Sequence, residues 1–303
     1  APNILEKSIR FVAEQDSLNA SILGPDAIPG TPEFDLFVRE VQHEMTTKAG
    51  QKCTAIRRIM VPDNQVSAAI DAISARLSKI VIGDPRDSNV HMGALVSAAQ
   101  KYDVLDKTAI ISNEATRVFG DPENFEAFNA DVNKGAFVPP MLFRCENPDS
   151  ASRVHDTEAF GPISTIMGYR DLDHAIELVN RGQGSLVASV ITRDPEVARK
   201  IVLCAGAYHG RLYFNNRDSM AESTGHGSPL PHMVHGGPGR AGGGEEMGGI
   251  RGVMHYMQRT AIQGSPDILT AISQQWVPNA TEITAPAHPF TRTFTELKIG
   301  ETV

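Results

Sequence analysis

Helix-like and strand-like segments alternate along most of this chain, and that alternation limits its possible folds more than any other feature. Apolar residues recur at helical spacing over residues 34–45 and 66–80, and a strand-like run closed by Pro62 lies between them. Further helices are expected near residues 94–111, 172–180 and 197–205, and strands near residues 137–145, 163–169, 186–192 and 211–215. This rhythm predicts an α/β fold in which a mostly parallel sheet is flanked by helices.

The composition is that of an ordinary globular protein, with 41% hydrophobic and 21% charged residues among 303. A formal net charge of -8 argues against a dedicated nucleic-acid binder, which needs a basic surface. No apolar run approaches the ~20 residues that span a bilayer, and no basic segment followed by an apolar one opens the sequence. We therefore expect a cytoplasmic protein whose partners include neither nucleic acid nor membrane. Three widely spaced cysteines fit a reducing compartment.

Cys53 is the candidate nucleophile. It follows the first long helical pattern, in the glycine-bearing segment 48–54, where a thiol is placed to project into a cleft. The alternative is that an unmodified cysteine most often packs as a small buried hydrophobe. We apply that second interpretation to Cys145 and Cys204, which lie in apolar runs.

Two further motifs accompany the cysteine. Glu14 ends an apolar stretch upstream, and residues 158–162 read Glu-Ala-Phe-Gly-Pro downstream. In this order and spacing the three motifs resemble the aldehyde dehydrogenase superfamily. The resemblance implies that Cys53 is the nucleophile and that Glu14, at a strand end, is the base for hydrolysis. It also implies that Glu158 binds the ribose of a nicotinamide nucleotide and that Phe160 forms a wall beside its ring.

The chemistry of aldehyde oxidation explains why these residue types are needed. A cysteine thiolate adds to the carbonyl carbon, and the thioester that follows hydride loss must be hydrolysed by an activated water. A base works best with a pKa near the working pH, so we expect Glu14 to be partly buried. Without the motif around Cys53, Glu14 would be interpreted as a solvated or ion-paired carboxylate and Phe160 as a core residue.

Other segments narrow the resemblance to one branch of the superfamily. Residues 16–19, 48–58 and 223–231 are similar to the branch that acts on CoA-linked semialdehydes in aromatic-acid catabolism. Residues 255–266 and 288–300 resemble the junction to a MaoC-like hydratase in the PaaZ-type bifunctional enzymes of phenylacetate degradation. This implies NADP as cofactor, with NAD possible, and a substrate of the 3-oxo-5,6-dehydrosuberyl-CoA semialdehyde type. The alternatives are a 3,4-dehydroadipyl-CoA semialdehyde dehydrogenase of benzoyl-CoA breakdown, and a truncated, non-catalytic scaffold.

The resemblance also divides the chain. Residues 1–13 are expected to end a Rossmann-type cofactor domain, most of which is missing upstream, and residues 14–252 to form the catalytic domain. The remaining expected parts are an oligomerisation strand at 253–264, a linker at 265–289 and the start of a hydratase-like domain at 290–303. The expected assembly is a homo-oligomer built on dimers, with a fused hydratase domain in the complete protein.

The glycine-rich segment 236–249 contains a formal Gly-x-Gly-x-x-Gly at residues 237–242. No strand precedes it and no ribose-binding acid follows at the right place, so a dinucleotide fingerprint is disfavoured. We interpret the segment as a mobile or tightly turned active-site loop. Three nearby histidines, His226, His232 and His235, lack cysteines or carboxylates at ligand spacing, so no metal site is expected.

Overall fold

A computed structural model describes residues 2–8, 10–230, 232–245 and 249–281. The strands are β1 (Ala20–Leu23), β2 (Arg58–Pro62), β3 (Thr116–Phe119), β4 (Met141–Cys145), β5 (Ile163–Tyr169), β6 (Ser185–Ile191) and β7 (His209–Asn215). The helices are α1 (Pro2–Lys7), α2 (Pro32–Thr46), α3 (Val66–Leu77), α4 (Ala98–Ile111), α5 (Leu172–Asn180), α6 (Pro195–Ala205), α7 (Ile250–His255) and α8 (Pro266–Ser273). The chain divides into two units, Ala1–His255 and Tyr256–Val303, and α8 belongs to the second.

The strands of the first unit form one sheet in the order β3-β4-β5-β2-β1-β6-β7. Neighbouring strands are parallel except β3 and β4, which are antiparallel. Strands β1, β2 and β6 are buried along their whole length. Such continuous apolar runs are typical of parallel strands that are covered on both faces. The predicted α/β class, with a mostly parallel sheet flanked by helices, is confirmed.

Two apolar clusters cover the two faces of this sheet. Phe37 of α2 and Ile73 of α3 pack with Ile59 in one cluster. Ile201 of α6 packs in the other with Met60, the next residue of β2. Because successive side chains of a strand point to opposite faces, β2 contributes to both cores.

Several boundaries differ from the sequence-based expectations. Helix α4 begins at Ala98 and not near residue 94, because the Ser97 side chain caps it by accepting a hydrogen bond from the Gln100 backbone N–H. Edge strand β3, which is largely exposed, was not predicted, because it lacks an apolar pattern. None of the helices within the described ranges has the length and apolar character that crossing a membrane requires.

The expected oligomerisation strand over 253–264 is not formed within the single chain, and it stays a prediction for an assembly of chains. Residues 253–255 belong to helix α7, and residues 256–264 adopt no strand. A strand needs a neighbour for its backbone hydrogen bonds, and among the described residues none pairs with this segment. The expected start of a hydratase-like domain at 290–303 lies outside the described residues, as do residues 282–289 of the expected linker.

Candidate active site

The candidate residues gather at one edge of the sheet, where the central strands begin. Asn19 immediately precedes β1, the Cys53 turn precedes β2, and Glu158 lies shortly before β5. The order β5-β2-β1 makes these strands neighbours, and all of them run in the same direction. Their amino ends therefore meet at the same edge, which brings segments that are far apart in sequence into contact.

A strained turn carries Cys53 away from the end of helix α2. Lys48 and Ala49 adopt positive φ angles of 54° and 53°, and Gly50 follows with 69°. A Cβ atom at position 50 would lie 2.1 Å from the carbonyl oxygen of Gly161, so only glycine allows this approach. The structure thus contains the tight, glycine-bearing turn that the sequence predicts. The thiol itself is half-buried.

Asn19 holds the backbone around the nucleophile. Its side-chain Nδ2 donates to the carbonyl oxygens of Cys53, at 2.7 Å, and Ala55, at 3.0 Å. Its Oδ1 accepts from the Ser17 hydroxyl at 2.7 Å and from the Val187 backbone N–H at 3.1 Å. Asn19 is completely buried, so each of these bonds replaces one to water and fixes the turn against β1 and β6.

Arg57 joins the cysteine turn to the loop that carries Glu158. Its Nε lies 3.0 Å from Glu158 Oε1, and the two side chains are only 4% and 6% exposed. Its Nη1 donates to the Gly161 carbonyl at 2.6 Å, and its Nη2 donates to the Gly50 carbonyl at 2.8 Å. The second carboxylate oxygen, Oε2, accepts from the Ser17 backbone N–H at 3.0 Å. One guanidinium thereby fixes both predicted parts of the site relative to each other.

The electrostatics of this pair are those of a buried ion pair. Burial raises the pKa of Glu158 above its ordinary value, and the charge of Arg57 opposes that rise. The guanidinium carbon also lies 5.4 Å from the centroid of the Phe160 ring, within the range of a cation–π contact. Oε1 of Glu158 accepts a hydrogen bond from Arg57 Nε, and Oε2 accepts one from the Ser17 backbone N–H. Each oxygen has a second lone pair, so each can accept one more hydrogen bond.

Glu158 and Phe160 both line a cavity of about 950 Å³. The cavity is lined by Gln15, Asp16, Asp103, Lys107, Ile110, Asn113, Glu114, Arg153, Asp156, Thr157, Glu158 and Phe160. Its volume lies in the upper part of the range of ligand pockets, and it combines apolar side chains with hydrogen-bonding groups. The two residues to which the resemblance assigns cofactor contacts therefore share one pocket.

Glu14 differs from the expectation, because it is exposed and not partly buried, and no strand includes it. Its segment packs against the glycine-rich loop, where a Cβ atom at Gly242 would lie 2.6 Å from the Glu14 backbone nitrogen. Arg240 of that loop forms a two-pronged ion pair with Asp16 and donates to the Asp156 carbonyl at 2.7 Å. The loop is tightly turned, and it links the Glu14 segment to the segment before Glu158.

The three histidines near the loop occupy different environments. His226 is buried, and its Nε2 lies 2.9 Å from the Thr54 carbonyl oxygen. His232 is exposed, whereas His235 is half-buried with its Nε2 3.9 Å from Cys53 Sγ. Within the described part of the chain, no group of three potential ligands is placed to hold a metal ion.

The other two cysteines differ in their burial. Cys145 is buried, and burial raises the pKa of its thiol. Cys204 is exposed on α6, so the expectation that it packs as a buried hydrophobe is wrong. The apolar run that contains it is the sequence of an amphipathic helix, of which only one face is covered.

Sequence reasoning missed Asn19, Arg57, Arg240 and His235 as parts of the site. Asn19 lies in segment 16–19, whose similarity to one branch of the superfamily was a usable signal. For Arg57, the available signal was a charged residue directly before a buried strand. No local pattern marks Arg240 or His235, because Asp16 and Cys53, which they contact, are more than 180 residues away in sequence.

Comparison with known proteins places these observations in context. Residues 4–262 match the sequence profile described as "Aldehyde dehydrogenase family". The chain is 44% identical over 237 residues to a 3,4-dehydroadipyl-CoA semialdehyde dehydrogenase from Aromatoleum evansii, a match that covers 78% of this chain and 46% of the relative. It is 48% identical over 213 residues to "Protein MaoC" from Klebsiella aerogenes, and this match covers 70% of this chain and 62% of that relative. The chain thus spans only part of the length of either relative.

Solved structures share the architecture. A betaine aldehyde dehydrogenase from Staphylococcus aureus in complex with NAD+ superimposes with a TM-score of 0.70 at 23% identity, over 84% of this chain and 46% of that chain. A mutant of aldehyde dehydrogenase C from Pseudomonas syringae, in complex with NAD+ and octanal, superimposes with a TM-score of 0.69 at 25% identity. The match covers 83% of this chain and 47% of that chain. These likenesses show the fold.

Proposed function

The chain belongs to the aldehyde dehydrogenase family, and we propose that it carries the nucleophile of an NAD(P)-dependent dehydrogenase that oxidises a CoA-linked semialdehyde to the acid. One observation carries this proposal. Arg57 bonds at once to Glu158 and to the backbone of the Cys53 turn, so a thiol and a nucleotide-binding carboxylate share one rigid frame. Such fixed placement is what a reaction between two bound molecules requires.

Cys53 forms the covalent intermediate. Its thiolate adds to the aldehyde carbon, the carbonyl π electrons move to oxygen, and a thiohemiacetal results. Loss of hydride from that carbon leaves a thioester on the sulfur. Water then adds to the thioester, the C–S bond breaks, and the acid leaves while the thiolate is restored. Glu14 is proposed as the base that removes the proton from this water.

The residues around the 950 Å³ cavity fit a nicotinamide nucleotide. Glu158 has acceptor capacity for ribose hydroxyls, and Phe160 offers an aromatic surface beside a planar ring. When bound, the cofactor accepts the hydride. NADP is the proposed cofactor and NAD the alternative, and the ratio of kcat/KM for the two decides between them.

The proposed substrate is a semialdehyde of the 3-oxo-5,6-dehydrosuberyl-CoA type. The similarity to a protein named 3,4-dehydroadipyl-CoA semialdehyde dehydrogenase supports the CoA-linked class and keeps that shorter acyl chain as the alternative. Turnover of the two semialdehydes, compared as kcat/KM, separates them. A homo-oligomer built on dimers and a fused hydratase remain proposals for the complete protein.

The test is Cys53→Ala in the complete protein, with Cys204→Ala as the matched control on the exposed surface. We expect the first variant to lose dehydrogenase turnover and to keep cofactor binding, because the thiol forms the covalent bond and does not hold the nucleotide. The control should retain full activity. Turnover above trace level in Cys53→Ala would remove Cys53 from the mechanism, and absence of nicotinamide binding by the wild type would favour the non-catalytic scaffold.

A further inference from the structure

A histidine lies beside the proposed nucleophile. His235 Nε2 is 3.9 Å from Cys53 Sγ, within the range of a hydrogen bond to sulfur. Both side chains are half-buried, so water only partly screens their interaction. An imidazole is the side chain whose ordinary pKa lies closest to neutrality, which makes it able to take or give a proton under physiological conditions.

The backbone on both sides of this contact is fixed. On the cysteine side, the Thr54 hydroxyl donates to the Gly227 carbonyl at 3.2 Å, and His226 contacts the Thr54 carbonyl. On the histidine side, Gly236 follows His235 and packs against the start of β7, where a Cβ atom at Gly210 would lie 1.5 Å from the Gly236 carbonyl oxygen. The approach of His235 to the thiol is thus enforced by packing of the main chain.

We propose that His235 accepts the proton of the Cys53 thiol, so that the resting site holds a thiolate beside an imidazolium. The S–H bond breaks, an N–H bond forms at Nε2, and the electron pair stays on sulfur, where it attacks the aldehyde. This inference rests on the proposed role of Cys53 as nucleophile and adds the group that activates it. Pairs of cysteine and histidine generate thiolates in the same way elsewhere.

The charge of Arg57 favours the thiolate. Among the described residues, the ionisable groups on neighbouring elements include Glu44, Lys52, Arg57, Glu158, Arg211 and His226, and the proposed base Glu14 also faces this site when it acts on the Cys53 thioester. Glu44 is paired with Lys52, and Glu158 is paired with Arg57. Burial lowers the pKa of His226 to about 3, so it is neutral at physiological pH. The guanidinium of Arg57 lies close enough to Cys53 for their charges to interact, and a nearby cation stabilises a negative sulfur.

The test measures how fast Cys53 reacts with iodoacetamide as a function of pH, from about pH 5 to 10. Cys204→Ser provides the background, since the exposed Cys204 would otherwise react, and peptide mass spectrometry follows Cys53 alone. In His235→Asn and His235→Gln we expect the rate at pH 7 to fall roughly tenfold and the half-maximal rate to move to higher pH, because an opposite charge this close is removed. The matched control His232→Asn changes an exposed histidine of the same loop and should keep the wild-type profile.

Each other result overturns the proposal. An unchanged profile in both His235 variants, or an equal shift in His232→Asn, removes proton transfer to His235. If only His235→Gln keeps the wild-type profile, then His235 acts by forming a hydrogen bond to the thiol and not by accepting its proton. If neither His235 variant folds, the absorbance of the thiolate at about 240 nm decides. At pH 7 this absorbance must be present in the wild type and absent in Cys53→Ser. Alkylation requires neither aldehyde nor cofactor, so its outcome is separate from that of the dehydrogenase assay.

Discussion

Removing the guanidinium of Arg57 tests whether its ion pair holds the site together. In Arg57→Met the buried carboxylate of Glu158 loses its charged partner, and the carbonyls of Gly50 and Gly161 each lose the N–H that Arg57 donates. The Gly161 carbonyl keeps its hydrogen bond from the Ile163 N–H. Breaking a buried pair by removing one partner costs about 3–5 kcal/mol of unfolding free energy. We expect a loss of that size in urea unfolding followed by circular dichroism. Arg57→Met/Glu158→Gln should recover a large part of it, because no charge then stays buried without a partner.

The loss in Arg57→Met should also depend on pH. Burial raises the pKa of Glu158, and without the guanidinium only the hydrogen bond from the Ser17 N–H still opposes that rise. The folded variant then binds a proton that the unfolded chain releases above about pH 4.3, so the variant's deficit grows as pH rises. The matched control is Arg86→Met, because Arg86 belongs to an ion pair in which its side chain is 89% exposed, and no resolvable change is expected. A deficit below about 1 kcal/mol, or one that is the same at pH 5 and pH 8, would refute the reasoning.

Two further predictions concern the proposed base and the buried histidines. The Glu14→Gln variant of the complete protein is mixed with aldehyde and cofactor and measured by intact-mass spectrometry. An acyl adduct should persist on Cys53, because hydrolysis of the thioester lacks its base. Normal steady-state rates without an adduct would exclude Glu14 as that base. Burial lowers the pKa values of His155, His209 and His226 to about 3. These groups stay neutral in the folded chain while the unfolded chain binds protons below about pH 6.5, so stability should fall with decreasing pH by up to roughly 4 kcal/mol per unit for the three together. Urea midpoints that are equal at pH 7.5 and pH 5.5 would contradict this.

The parts of the fold that sequence predicts well are those where local pattern and burial agree. Strand β6 is apolar on both faces and helix α5 shows an amphipathic stripe, and both lie within one residue of the expected bounds. Strand β3 was missed because it forms at an exposed edge, where only pairing with β4 stabilises it. The strand expected over 253–264 came from the family resemblance. Its pairing requires a second chain, since no strand of the described residues pairs with this segment, so it stays a prediction.

Some residues of the candidate site are marked by their local sequence, and others are placed only by contacts that are distant in sequence. Cys53, Glu158 and Phe160 stand in short motifs, so a role could be proposed for each from the sequence alone. The burial of Glu14 depends on what packs over it, which no residue near it in the sequence specifies. His235 reaches Cys53 only because Gly236 fits against the strand β7 backbone, and a contact of that kind depends on the assembled sheet.

The position of the site at the amino edge of the sheet explains why it contains a buried arginine. Three irregular segments meet there before their strands begin, and their carbonyls, such as those of Gly50 and Gly161, have no ladder partner. Buried carbonyls must find donors, and Arg57 supplies several in a planar fork while its charge balances Glu158. Lysine has a single nitrogen with donors in a compact cluster, so it cannot span the same set of acceptors. The distance between the proposed nucleophile, Cys53, and the proposed cofactor carboxylate, Glu158, is therefore set by the geometry of one guanidinium group.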